Sequence, residues 1–288
     1  MVLTPGDIPL GTGPPTREEL LIYYPAKFTW KQLKTFVNSG DLRLLQRDKK
    51  LHLRFSEYMK GIQAQYGSTV NYLLTKRLRW GEPDRQSRLC SLLDEDHSVL
   101  DGLDSDCNET STELPPISAD APHHFTADTP PELISIIMND WPYSVPPEVE
   151  HILIWTRLPL LRPSIPPSIA SHLLEYGLWG FTGNTEPPPS PSTLPECLPA
   201  LADWNFTPDN IVHPPPRTEK EEALLRETID EISEFVRRKW KEAEWETAWF
   251  VNPSRWQSVP GLAHIHVLAK HKPSEEINSS DKISRKYI

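Results

Sequence analysis

The chain has 288 residues but only three cysteines, no long apolar run and, between Leu89 and Thr156, not one lysine or arginine. Each shortage excludes something. Cys90, Cys107 and Cys197 are widely spaced and odd in number, which fits neither a disulfide framework nor a zinc knuckle. A reducing, cytoplasmic compartment is expected, and the sequons at Asn108 and Asn205 are then chance matches. No stretch approaches the ~18 apolar residues of a membrane span, and the opening MVLTPGDIPLGTG lacks a basic start followed by an apolar run. Neither a membrane segment nor a secretory leader is expected. The net charge of −10 disfavours a nucleic-acid partner, because phosphate contacts need a concentrated basic surface. The local cluster Lys76, Arg77, Arg79, Arg85 and Arg88 reads as a solvated helix end.

What replaces the missing basic residues is acid. Asp94, Glu95, Asp96, Asp101, Asp104, Asp106, Glu109 and Glu113 accumulate with few large apolar groups, so the stretch from about 90 to 128 is expected as a disordered acidic insertion. Asp101, Asp104 and Asp106 lack the glycine and terminal glutamate of a calcium loop. Proline is abundant: 31 residues, about twice the usual share of roughly 5%. The prolines gather around patterned segments, and residues 181 to 217, with Pro187 to Pro189 and Pro214 to Pro216, read as a surface excursion. A docking site for a proline-reading protein partner is possible there.

The first hundred residues carry helical spacing. Thr16 with Glu19 forms a capping box, Thr29 precedes Trp30, Leu33, Phe36 and Val37 with Gly40 as a stop, and Asp48 opens a longer pattern that closes at Gly67. A run from Val70 to Leu78 follows. Farther on, Thr218 and Glu221 box the start of a helix with Leu225, Ile229, Ile232, Val236 and Trp240 on one face, acidic early and basic late. Strands are expected at His151 to Thr156, at about Thr247 to Val251 and at about Ala263 to Ala269.

The last of these strands holds the densest candidate chemistry, inside FVNPSRWQSVPGLAHIHVLAK. Residues two apart on a strand share a face, so His264 and His266 present both imidazoles together while Ile265 and Val267 point into a core. Such a pair can bind a metal, act as nucleophile and acid, or cradle an anion. A metal would need further ligands, and nothing in the spacing brings His151, His271 or Glu150 near, so no metal and no cofactor is expected. His264 and His266 are the candidate catalytic residues; His151, Arg157, Asn252, Arg255, Gln257 and Ser258 are the candidate substrate-binding residues. Hydrogen-bonded core histidines are the competing account, and the two stay open.

The order helix, strand, Gln-Ser-Val, then His-Ile-His-Val-Leu resembles the histidine-triad superfamily of nucleotide hydrolases and transferases. That resemblance implies a nucleophilic role for His264 and a phosphate-holding role for Gln257 and Ser258. Leu262 stands where the first histidine of the triad would be, and one extra residue separates the loop from the pair.

Longer blocks carry a second resemblance. YPAKFTWKQLK, NYLLTKRLRW, NDWPYSVPPEVEHILIWTRLPL and the terminal histidine block are similar to the fungal N-acetylglucosamine-induced protein family, a domain of unknown function. It implies a cytoplasmic protein whose expression follows amino-sugar exposure, and it supplies no catalytic residue.

The expected fold is α+β: a disordered amino terminus (1–15), one domain (16–270) with a helical amino half packed on a small, mostly antiparallel sheet carrying the His-x-His strand, histidine-triad-like in that part, and a disordered tail (271–288). The expected ligand is a phosphorylated or nucleotide small molecule, bound or hydrolysed at the histidine pair; the alternative is a non-catalytic ligand-binding or regulatory protein of an amino-sugar response.

Overall fold

The computed structural model describes residues 4, 6–89, 114, 116–257, 259 and 262–273. It is an α+β fold built on one five-stranded sheet. The strands are β1 (Ile134–Met138), β2 (Val149–Thr156), β3 (Leu178–Thr182), β4 (Trp245–Val251) and β5 (Ala263–His271), in the order β1-β2-β5-β4-β3 with every pair antiparallel. The two longest strands, β2 and β5, are thus central and paired from Val149↔Lys270 to Thr156↔Ala263. All eight residues of β2 are buried. That follows from a sheet covered on both faces, which requires apolar side chains on each.

The period of two divides the central strands cleanly. Ile152, Ile154, Ile265, Val267 and Trp249 turn to one face, where they join Ile169 and Leu173 of α5 (Pro167–Tyr176) and Leu225, Ile232 and Val236 of α7 (Glu219–Lys239). The opposite face carries His151, Leu153, Trp155, His264, His266 and Leu268, by the register of β2 with β5. Part of it is covered by Leu33, Phe36 and Val37 of α2 (Trp30–Ser39), which pack with Ala248, Phe250 and Leu268. Another part is covered by Leu73 and Leu78, beside Val259 and Leu262. The histidines lie between these two apolar patches.

The expected caps are in place. Thr16 boxes with Glu19 at α1 (Arg17–Tyr23), Thr29 accepts from the Gln32 N–H at α2, Asp48 accepts from the Lys50 and Leu51 N–H groups at α3 (Lys49–Tyr66), and Thr218 boxes with Glu221 at α7. Each side chain satisfies a backbone donor that the first helical turn leaves free. Gly40 and Gly67 close α2 and α3 in left-handed geometry. The run from Val70 divides into α4 (Thr69–Tyr72) and a π turn, Leu73–Arg77.

Several features depart from the sequence reading. β1, α5 and β3 carry no period long enough to announce them, since β1 and β3 have five residues each and α5 starts on prolines. Arg77 is not a solvated helix end: it is 5% exposed and closed between Asp84 and Asp140 at 3.0 and 2.6 Å. Phe125, inside the stretch read as an acidic insertion, is fully buried against Phe235, and its N–H donates to the Pro159 carbonyl. Residues 90–113 of that stretch lie outside the described residues. Within 181–217 a short helix, α6 (Leu194–Cys197), and the turn after it bury Leu194, Cys197 and Leu201 against the α2 side of the sheet, so apolar anchors hold the proline-rich stretch down. No described helix is long and apolar enough to cross a membrane.

Candidate functional site

β5 places His264 and His266 on one face, as alternation requires, but the surroundings are those of a packed interior. His264 is 4% and His266 7% exposed. His266 stacks on Phe250 at 4.6 Å with the ring planes 6° apart, and His264 stacks on Trp155 at 4.3 Å. Trp155 is directly opposite His264 in the register, so that stack is a cross-strand pair.

His151 joins them from β2. Its diagonal position puts Nε2 3.0 Å from His266 Nδ1, while Tyr143 stacks over its ring at 4.6 Å and donates its N–H to His151 Nδ1 at 3.2 Å. That last bond decides the tautomers. A backbone N–H only donates, so His151 Nδ1 is bare and the proton of the neutral ring is on Nε2, which donates to His266 Nδ1. His266 then carries its proton on Nε2. Asn252 has Nδ2 placed 3.1 Å from that atom, and with the proton on Nε2 the amide is assigned the flipped orientation that turns its oxygen there as acceptor.

His264 is held separately: its Nδ1–H donates to the Leu262 carbonyl at 3.2 Å, leaving the lone pair on Nε2. All three imidazoles stay neutral. Burial pulls His151 down to about 3, with the Arg47 charge, and then the repulsion a protonated His264 would exert, adding to it; burial and the same mutual repulsion with His264 and His151, then Arg47, hold His266 well below the usual histidine value, and burial lowers His264 against the opposing bond to Leu262.

Among the substrate-binding candidates, His151 and Asn252 meet the pair directly, and Gln257 reaches it at one remove, its Nε2 donating to the Asn252 carbonyl at 3.3 Å. Arg255 turns away, donating to the Glu175 carbonyl at 3.1 Å and lying over Trp256. Arg157 follows β2 directly, and its N–H ties it to the Leu133 carbonyl. Ser258 lies outside the described residues. Among the described residues no three His, Cys, Asp or Glu side chains are grouped to hold a metal ion.

An open cavity of about 180 Å³ lies at the other end of β2, lined in part by Tyr24, Leu51, Tyr143, Val149, Glu150 and His151. Its walls are mostly apolar, and its contact with the histidine cluster is through His151.

The family described as "Protein of unknown function (DUF3605)" matches residues 29–165 and 213–270. The chain belongs to that family. His151, His264, His266, Tyr143 and Asn252 all fall within the matched stretches of this DUF3605 chain, whereas residues 166–212, including α5, β3 and most of the proline-rich stretch, fall outside. It is similar to N-acetylglucosamine-induced protein 1 of Candida albicans, 24% identical over 131 residues, which are 46% of this chain and 44% of that protein. The match therefore spans less than half the length of that curated relative. A solved structure described as "Crystal Structure of HTC1" overlaps 91% of this chain and 97% of its own at 18% identity, with a TM-score of 0.42.

Two members of the cluster escaped the sequence reading. Tyr143 and Arg47 carry no motif; Tyr143 sits in the block NDWPYSVPP, which marks the domain without marking the residue, and Arg47 precedes a helix cap. Only the fold brings them to the histidines.

Proposed function

We propose that this DUF3605 protein binds a small molecule without turning it over, as a cytoplasmic component of an amino-sugar response. One observation carries the reading: His264 and His266 are packed among aromatic rings, His266 is engaged at both ring nitrogens, and the open cavity lies at the His151 end of β2 instead. Pockets that are concave, mostly apolar and equipped with a few polar groups are the ordinary form of a ligand site. The link to amino sugars rests on the name of the Candida protein. A protein partner at Pro187 to Pro189 belongs to the same reading.

A second reading, phosphoester chemistry in a histidine-triad-like arrangement, is favoured by His264 itself. Its Nδ1–H is fixed on the Leu262 carbonyl, and Nε2 has no hydrogen-bond partner among the described residues, so the lone pair of a neutral imidazole is free to attack phosphorus. Gln257 and Ser258 would then hold phosphate oxygens.

One experiment separates the two. A thermal-shift screen of nucleotides, sugar phosphates and nucleotide-sugars, run beside a product-release assay, is expected to give a saturable shift without product, retained in His264→Ala. Product formation that is lost in a folded His264→Ala variant overturns the binding reading and establishes the enzyme.

A further inference from the structure

Among the described residues Arg47 makes no ion pair. Three arginines near it in the chain close on carboxylates: Arg43 on Asp41 at 2.6 Å, Arg54 on Glu19 at 2.9 Å, and Arg77 on Asp84 and Asp140. Arg47 does not. Its Nε–H donates to the Trp141 carbonyl at 2.6 Å, and its guanidinium carbon lies 4.4 Å from the Phe55 ring centre and 5.7 Å from that of Tyr143. Neither amino group at the tip has a hydrogen-bond partner among the described residues.

The rings attract the cation but do not neutralise it. Its charge lowers His52, His151 and His266, and among acids it acts on the Tyr143 phenol, which burial holds protonated. Burial also lowers Arg47 itself, although arginine keeps its proton in proteins. Arg47 is half-buried beside neutral imidazoles, and no carboxylate among the described residues closes on it, so the tip of its fork is open to an anion.

We propose that the two terminal amino groups of Arg47 receive a compact oxyanion, the acidic group of a small molecule, beside the Tyr143 ring. The guanidinium fork matches two oxygens of such a group, and its Nε bond to Trp141 and the Phe55 ring fix its plane in advance. Tyr143 connects this receptor to the histidine cluster, because the same residue stacks on His151 and donates its N–H to His151 Nδ1. The imidazoles therefore orient Tyr143, and Arg47 holds the charge.

The inference rests on the ligand-binding reading above and names the chemistry of its ligand. Its test is titration of the full chain with inorganic phosphate, and separately with acetate, at constant ionic strength set by chloride, followed by melting temperature. A saturable rise with either anion is expected for the wild type. Arg47→Met should lose it, and Arg47→Lys, which keeps charge without the fork, should weaken it about tenfold. No saturable response in the wild type overturns the proposal, as does a response retained in Arg47→Met. Should the methionine variant fail to fold, wild-type affinity in Arg47→Lys overturns it equally. The two readings fail separately: a neutral metabolite that binds while neither anion does removes Arg47 as receptor and leaves a binding protein, whereas product release with an Arg47-dependent anion response does the reverse.

Discussion

His151 and His266 share a proton between neighbouring central strands, Nε2 of the first donating to Nδ1 of the second over 3.0 Å. Removing either ring strands the other. In His266→Ala the His151 N–H and the Asn252 amide lose their partner and the stack on Phe250 becomes a void. The expected loss of stability is about 3 kcal/mol, from the cavity and the unsatisfied polar groups together. Urea unfolding with no ligand present measures it; a change under about 0.5 kcal/mol, the usual scatter of surface substitutions, would contradict the packing described.

The same burial makes the fold sensitive to acid. Well above the ordinary histidine value these imidazoles are uncharged in both folded and unfolded chains and contribute no slope. Below the ordinary histidine value of 6.5 the unfolded chain takes up protons that folded His151 refuses until about 3. The unfolded state then binds more protons, so stability falls as pH falls through that window, by about 1.4 kcal/mol per unit for each such imidazole. Stability measured by denaturant at several pH values should show a slope that His151→Gln reduces by about one proton's worth.

Helices α1 to α3 and α7, their caps and three of the five strands were legible because each has a local cause: Thr29, Asp48 and Thr218 cap within their own turn, and β2, β4 and β5 are long enough to show their composition. β1 and β3 were not, since five residues at the sheet edges carry no distinct pattern. The shared face of His264 and His266 follows from strand geometry alone. What covers that face does not: Phe250, Trp155 and Tyr143 arrive through register and long-range packing, and Arg47 is more than a hundred residues from the His151 whose charge state it influences.

Glu246 is a buried carboxylate that holds α2 to the sheet. The Trp30 indole N–H donates to it at 2.6 Å, the Lys34 ammonium lies 3.3 Å away, and the Thr185 hydroxyl donates at 3.2 Å. Burial raises its pKa, but the Trp30 bond and the Lys34 charge outweigh that, so it stays ionised below the usual glutamate range. Glu246→Ala leaves Lys34 as a nearly buried cation and should cost about 3 kcal/mol, while the double variant Glu246→Met, Lys34→Met should recover most of it, because the isolated charge is what costs. A double-mutant cycle by chemical unfolding checks the coupling; strictly additive losses would show that the pair does not interact.

Two glycines with nearly the same φ but different ψ, −151° at Gly177 and −27° at Gly67, should differ sharply when replaced. Gly177 turns α5 into β3 at a φ of +75°, and a Cβ there would meet the Val251 carbonyl oxygen at 2.1 Å and the Pro253 ring at 3.1 Å. Neither obstacle is the free end of a side chain, so β3 and β4 would have to separate. Gly67, at a φ of +74° after α3, has nothing within 4 Å of the same position. Gly67→Ala therefore pays only the left-handed penalty of about 1 kcal/mol, whereas Gly177→Ala adds overpacking of about 1–3 kcal/mol or more. Thermal unfolding of the two variants tests the ordering. Equal losses would mean that β3 is free to move away from β4, and the register Leu178↔Val251 would not hold this edge of the sheet.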